Sequence, residues 1–493
     1  MKMIRWPHSA IMRPASTILF FGICLLSSLA LYTPPACGEQ RPNLLLIMTD
    51  QQLADAMSCR MGNAFIKTPA MDSLARQGML FTRAYTPNPL CMPARASIFT
   101  GRYPHETGVT TNGKASIDPS RLPCMGTYLR GAGYDAAYCG KWHLAFSRRD
   151  QTAHGFEMIE ADAPDGRRDS KTAAAAVEYL RRPHDKPFLL VASFLGPHDA
   201  CELARGQNLP CGPIGDPPPL EQCPPAPANL EVPENETDGV ALLRRSCHAT
   251  KTFPVGNFSA DKWRQLRWGY YRVVERVDTQ IGKVLAALRE AGLEENTAVI
   301  FTSDHGECAG AHRFNQKTVL YDESARIPLI ITYKGRTKVG TSDRLANIGV
   351  DILPTMCDFA GLATPKGLSG RSLRPIALGQ AVEEWRDYVV VQNHMIQGGP
   401  VEGFKPTLQG RMVRTDRFKY CVYDYGNRRE SLVDMQADPL ETKNLARQPE
   451  YRDVLVQHRR LLQTFAAKHD DALVDLLLAD DVASRPFPAG KDR

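Results

Sequence analysis

The sequence contains no run of basic residues interleaved with aromatics, and its formal charge is only +6 over 493 residues. Lys2, Arg5 and Arg13 supply three of those charges, which leaves +3 for the rest of the chain. So weak and diffuse a positive balance excludes nucleic acid as a partner. No internal repeat and no low-complexity segment is present, which excludes a solenoid or array. Long apolar runs are also scarce. The N-terminal one, Ala15 to Leu31, carries no charge, but it is short for a bilayer span, which takes about 20 residues.

What is there instead reads as an export signal. The three cations lead, the apolar run follows, and Pro34-Pro35-Ala36-Cys37-Gly38 breaks it with small residues that favour cleavage after Gly38. Residues 1–38 are therefore expected to be a signal peptide, and the protein periplasmic or secreted. A lipid anchor on Cys37 is disfavoured, because Pro34 stands where an aliphatic residue is needed. With 43% hydrophobic residues the remainder can build one large α/β domain and a smaller one.

Short apolar runs alternate with helical patterns. Asn43–Met48, Tyr134–Tyr138, Phe188–Phe194, Ala298–Phe301 and Leu329–Thr332 suit buried strands. Thr172–Arg181 is Ala-rich, and Trp263–Glu290 places Tyr271, Val274, Val277, Ile281, Leu285 and Leu288 at helical spacing, closed by Gly292. This alternation predicts a doubly wound, mostly parallel sheet flanked by helices. Four of the five strand candidates carry Asp, Lys or His just beyond their C-terminal ends, where such sheets bind ligands. Residues 199–262 read as an irregular Pro- and Cys-rich insert that shapes a site. After Gly370-Arg371-Ser372-Leu373 the pattern changes. Tyr388–Gln392 and Arg411–Tyr423, the latter with a turn at Asp416-Arg417, read as antiparallel strands, and Arg452–Lys468 as a final helix. The expected organisation is a catalytic domain over 39–375, an α+β subdomain over 376–480 with an antiparallel sheet, and a loose tail over 481–493.

The chemistry centres on Cys91-Met92-Pro93-Ala94-Arg95, continued through Ser97 to Thr100-Gly101-Arg102. A cysteine two residues before proline and four before arginine resembles the formylglycine-forming signature of type I sulfatases, in the alkaline phosphatase superfamily. Gly133-Tyr134 followed by Gly140-Lys141-Trp142-His143 resembles the second signature of that family. Taken singly, Cys91 reads as a buried structural cysteine, and Lys141 and His143 as a solvated pair; taken together they are specific. The resemblance runs over nearly the whole mature chain, with late matches at Val413–Tyr420, Leu432-Val433-Asp434 and Asp438–Leu445.

The resemblance implies the following. A maturation enzyme oxidises Cys91 to formylglycine, whose hydrate attacks the sulfur of a sulfate ester. Arg95 holds the diol and the oxygens beside the metal, and the helix N-terminus at Pro93-Ala94-Arg95 favours an anion. Lys141 steadies the diol and one sulfate oxygen. His143 removes the proton that lets the sulfated adduct collapse. His198, in Gly196-Pro197-His198, and Lys317, in Asn315-Gln316-Lys317, match the substrate-side histidine and sulfate-binding lysine, and one of the two protonates the leaving oxygen. Asp50, Gln51, Asp304 and His305, with Cys91, would hold one divalent cation. Oxygen ligands point to calcium, while Gln51 and His305, where many relatives carry Asp and Asn, leave manganese open. Read without the resemblance, Asp50 and Asp304 are strand-end caps.

With Cys24 and Cys37 lost with the leader and Cys91 converted, ten of the 13 cysteines remain, an even number that could all pair. Cys201, Cys211, Cys223 and Cys247 are expected to staple the insert. Cys139, Cys308 and Cys357 also read as buried free thiols. The substrate expected is a sulfated saccharide or another organic sulfate ester. A phosphonate monoester or phosphodiester hydrolase on the same fold and nucleophile is the alternative. A carbohydrate-binding protein without catalysis would need a broken constellation, and no expected position is missing.

Overall fold

The computed structural model describes residues 41–159 and 169–487. The expected signal peptide and the end of the tail, from residue 488, lie outside them. The chain enters through β1 (Asn43–Asp50), all eight of whose residues are buried. Leu44, Leu46 and Met48 face one apolar core and Leu45 and Ile47 the other, so the run is apolar on both sides because both sides are covered. Helix α1 (Pro69–Gln77), strands β2 (Met79–Phe81) and β3 (Ala84–Tyr85) and helix α2 (Cys91–Thr100) follow. Next come β4 (Asp135–Gly140), β5 (Glu157–Met158), α3 (Asp169–Arg181), β6 (Phe188–Pro197), α4 (Asp238–His248), α5 (Ala260–Glu290) and β7 (Thr297–Ser303).

The large sheet is completed by β8 (Leu329–Tyr333) and β9 (Gly340–Ser342), in the order β5-β4-β6-β1-β7-β8-β2-β9. β1 lies centrally, parallel to β6 on one side and β7 on the other. The predicted mostly parallel sheet is present, with one reversal: β8 runs antiparallel to both β7 and β2. The reason is the connection. Residues 304–328 hold only single-turn helices, so the chain leaves and re-enters the sheet at the same end. A parallel return would need a crossover of a dozen or more residues, usually a helix, spanning the sheet.

A two-stranded pairing of β3 with β10 (Ala346–Asn347) leads into helix α6 (Ile348–Phe359), which packs on α2. The second sheet is an antiparallel meander of β11 (Tyr388–Met395), β12 (Leu408–Thr415), β13 (Phe418–Tyr423) and β14 (Glu430–Asp434). The turn at Asp416-Arg417 joins β12 to β13 as expected. Helix α7 (Arg452–His469) buries Leu455, Leu462 and Phe465 in a core shared with Val413, Tyr420 and Leu432 of this sheet. The sheet's other face packs Met395, Met412 and Cys421 with Phe314, Val319 and Leu320 from the connection that follows β7. Within this layer Lys419 is buried, with Nζ 3.0 Å from Asp322 Oδ1 and 2.7 Å from Glu441 Oε1.

Three expectations are corrected. The insert 199–262 is not wholly irregular, for it contains α4, which buries Val240, Leu243 and Cys247 at helical spacing against the second sheet. The insert is not stapled: Cys201, Cys223 and Cys247 are free thiols, as are Cys59, Cys124, Cys308, Cys357 and Cys421. Their surroundings differ too much for pairing. Cys201 Sγ lies against the Gln51 carboxamide, Cys223 Sγ donates to Pro218 O at 3.7 Å, and Cys247 sits in an apolar cluster. Finally, the described part of the tail is held. Arg485 bridges Gly426, and Arg429 Nη1 donates to Ala483 O.

Candidate active site

Four neighbouring strands, β4, β6, β1 and β7, deliver the predicted residues from their C-terminal ends. Asp50 is the last residue of β1, and Gln51 turns away from it with a left-handed backbone (φ 66°). Lys141 follows β4, His198 follows β6, and Asp304 and His305 follow β7. Cys91 opens α2, every residue of which is buried. The single apolar runs thus act as rigid stems, and the polar residues after them meet where the sheet ends.

Arg95 organises the floor. Its guanidinium, with no exposed surface, donates from Nε to Asp304 Oδ2 at 2.7 Å and from Nη2 to Asp50 Oδ2 at 3.1 Å. Nη1 donates to Ser193 Oγ and the Lys141 carbonyl at 2.8 and 3.1 Å. Lys141 Nζ donates to the same Asp50 Oδ2 at 2.6 Å. Both carboxylates thus give Oδ2 to cations, while Asp304 Oδ1 accepts from His305 N at 2.9 Å and Gln51 N at 3.3 Å and Asp50 Oδ1 lies 3.8 Å from Cys91 Sγ. His305 Nδ1 lies 3.0 Å from the Gly306 carbonyl, which only accepts. Nδ1 thus carries the proton and Nε2 presents its lone pair. That Nε2 stands 3.8 Å from Asp50 Oδ1, 3.6 Å from Asp304 Oδ1 and 3.1 Å from Cys91 Sγ.

Asp50, Cys91, Asp304 and His305 offer ligand atoms that all lie within 4.8 Å of one another, and all four residues are buried. Two carboxylates and an imidazole nitrogen thus converge beside the Cys91 sulfur. This donor set fits a divalent cation. The electrostatics agree. Burial acts to lower the His305 pKa, but Asp304 and Cys91 together outweigh it and the shift is upward. Burial, with Asp50 adding to it, pushes the Asp304 carboxyl up to about 6. Burial pushes Asp50 up as well, yet Lys141, His198, Arg95 and His305 together hold it well below the usual carboxylate range.

The Cys91 thiol is pulled well below its ordinary value. Burial and Asp50 oppose ionisation, and Lys141, Lys317 and His305 overcome them. Burial, then Lys317 and Lys141, pushes His198 down to about 4. Lys317 lies 5% exposed and is hydrogen-bonded to Gln51 Oε1. The Gln51 carboxamide thus points to Lys317 at one end and to Glu307 at the other, where Nε2 donates to Oε2 at 2.6 Å. Gln52 lies apart, donating from its backbone to Ser303 Oγ. His143, on the loop after Lys141, is half-buried with a left-handed backbone (φ 43°). Its buried Nδ1 has no hydrogen-bond partner among the described residues. His105 and His312 stand outside this group: His105 contacts Gln392 and the His469 carbonyl, and His312 stacks on Tyr321 at 4.0 Å.

Sequence reasoning did not single out Glu307, Ser193 or Tyr270. Tyr270 donates to the Gln51 carbonyl at 3.0 Å and accepts from Leu53 N at 2.8 Å, fixing the turn after β1. The available signal for Glu307 was its place two residues after His305; for Tyr270 there was none beyond a helical stripe.

The Sulfatase family model matches residues 42–362, and an N-sulphoglucosamine sulphohydrolase C-terminal model matches residues 310–468. A Delta 4,5-hexuronate-2-O-sulfatase of Bacteroides thetaiotaomicron is 31% identical over 474 residues, 94% of this chain and 96% of its own. The solved structure of a 2-O GAG sulfatase superposes with a TM-score of 0.74 at 28% identity, over 88% of this chain and 94% of that one. A phosphonate monoester hydrolase of Agrobacterium radiobacter superposes with a TM-score of 0.70 at 25% identity, over 87% and 96% of the two chains. On these matches the chain belongs to the sulfatase family as a sulfuric ester hydrolase.

Proposed function

We propose that this enzyme is exported and removes sulfate from sulfated saccharides, using a formylglycine made from Cys91 by a maturation enzyme. One observation carries the reading: Cys91 Sγ stands 3.1 Å from His305 Nε2, inside the group that could hold a cation, and Lys141, Lys317 and His305 pull its pKa down. In the matured protein the hydrated aldehyde, in place of Sγ, supplies the nucleophile for sulfur. Asp50, Asp304 and His305 would hold the divalent cation, calcium by preference, while the Gln51 carboxamide oxygen accepts from Lys317. When bound, it would draw charge from the sulfate oxygens.

Arg95 fixes both carboxylates through their Oδ2 atoms. Lys141 and Lys317 bring two further cations against an anionic ester, whose own charge otherwise repels a nucleophile. One of His198 and Lys317 would protonate the leaving oxygen, and His143 would take a proton as sulfate departs. The saccharide assignment rests on relatives, two of which are named for hexuronate and GAG 2-O-sulfates.

Intact-mass analysis of the Cys91 peptide should show the aldehyde, and Cys91→Ala should abolish release of sulfate from a panel of sulfated saccharides. Full hydrolysis by Cys91→Ala would end the reading. The pairs Asp50-Gln51 and Asp304-His305, with the phosphonate monoester hydrolase neighbour, favour a second one, a phosphodiester or phosphonate monoesterase. Turnover of an aryl phosphodiester faster than an aryl sulfate would select it.

A further inference from the structure

Glu307 is a buried carboxylate that the mechanism above does not use. It is 3% exposed, on the loop after β7, and all its hydrogen bonds are to groups that can only donate. Oε1 accepts from the backbone N–H of Ala309 at 2.9 Å and of Gln316 at 2.6 Å. Oε2 accepts from Gln51 Nε2 at 2.6 Å. At its other end the Gln51 carboxamide meets Lys317 Nζ, an ammonium that cannot accept. The two demands agree. A carboxylate on one side requires the amide nitrogen there, and an ammonium on the other requires the amide oxygen there. Cys201 Sγ, 3.3 Å from Nε2 and 3.5 Å from Oε1, can serve either orientation and decides neither.

We infer that Glu307 is a positioning residue for Lys317: it locks the Gln51 carboxamide with its oxygen on the lysine. Through the Gln316 N–H it also pins the loop from which Lys317 projects. That loop needs pinning, since Gln316 and Thr318 both hold left-handed backbone, at φ 68° and 79°. Gln51 thereby acts as a relay between two charges of opposite sign, and Lys317 Nζ is fixed toward the Cys91 centre.

The alternative is that Glu307 merely ties the loop through its two backbone contacts. The variant Glu307→Gln separates the two. Its Oε1 can keep both backbone N–H groups, so a tie alone predicts near-normal behaviour. Its Nε2 would then face Gln51, which must turn its oxygen to it and its nitrogen to Lys317, setting donor against donor. Gln51→Glu alone sets two carboxylates against each other. The double variant Gln51→Glu/Glu307→Gln restores the pattern: the new carboxamide at position 307 donates to the new carboxylate at position 51, which also accepts from Lys317.

The inference rests on the sulfate-ester reading for the role of Lys317, and the experiment measures three things on all four proteins. These are KM and kcat on a sulfate ester, binding of inorganic sulfate by calorimetry, and the melting temperature. Each single variant should raise KM and weaken sulfate binding about tenfold or more, and the double should recover most of that loss. Glu307→Gln within about threefold of wild type would overturn the inference. So would a double variant no better than the worse single in sulfate binding and in melting temperature. A wild-type enzyme that turns over no sulfate ester would sink the functional reading instead, and the melting-temperature cycle would still judge Glu307.

Discussion

Arg95 Nε donates to Asp304 Oδ2 at 2.7 Å, and neither side chain has any exposed surface. The same guanidinium reaches Asp50 Oδ2, so one cation compensates two buried carboxylates on adjacent strands. Removing it leaves both without their shared partner. Arg95→Met, which keeps the stem and deletes the charge, should lower stability by about 3–5 kcal/mol when measured by urea unfolding in a chelator. A loss below about 1 kcal/mol would mean that Lys141 alone satisfies Asp50 and that Asp304 takes up a proton.

The parts of this site that were legible in the sequence are those built from short, strong patterns. β1 to Asp50-Gln51, β7 to Asp304-His305 and the Cys91-to-Arg95 turn each carry their chemistry within a few residues of a buried strand or helix start. Less legible were features set by distant partners. β8 reverses because the connection before it lacks a crossover helix, which a local apolar run does not record. α4 was hidden by the proline and cysteine around it, although Val240, Leu243 and Cys247 kept helical spacing. Even-numbered cysteines gave a misleading count, because pairing depends on which thiols the fold brings together. Glu307 had only its place two residues after His305 to mark it, since its partner Gln51 is 256 positions away.

Lys419 of β13 ties the second sheet to the connection that bears Lys317 by an ion pair to Asp322, and pairs as well with Glu441 from the segment after β14. Glu441 holds a left-handed backbone (φ 56°) and returns Oε2 to the Asp322 N–H at 2.7 Å. Lys419→Met should cost about 3–5 kcal/mol, because two buried carboxyls lose their cation together. Adding Glu441→Gln should recover part of the loss, since Asp322 keeps Arg326 at 3.3 Å. Additive effects in that double-mutant cycle would show that the three groups do not act as one unit.

Chelation provides a separate check on the donor group. If Asp50, Asp304 and His305 hold a divalent ion, EDTA should abolish turnover and lower the melting temperature. Calcium or manganese should restore both. Saturation to about 100 times the dissociation constant stabilises the fold by about 2.7 kcal/mol, which a thermal scan resolves. Unchanged turnover after exhaustive chelation would remove the cation from the mechanism.

Asp169, at the start of α3, caps the turn that carries His198 by accepting from Leu195 N at 2.7 Å and Gly196 N at 3.0 Å. Burial pushes its carboxyl from an ordinary 3.8 up to about 7, and Asp199 adds to the rise. The sign follows from proton counts. Between those two values the folded chain holds a proton here that the unfolded chain has released. Stability contributed by this group therefore falls as pH rises through that window. Asp169→Asn is neutral at every pH and lacks this slope. The melting temperature of the variant minus that of wild type should therefore become more positive from pH 4 to pH 7 and level off above it. A difference that is flat with pH would show that Asp169 titrates alike in both states. A difference that grows more negative would show that the two backbone N–H groups hold its carboxylate ionised.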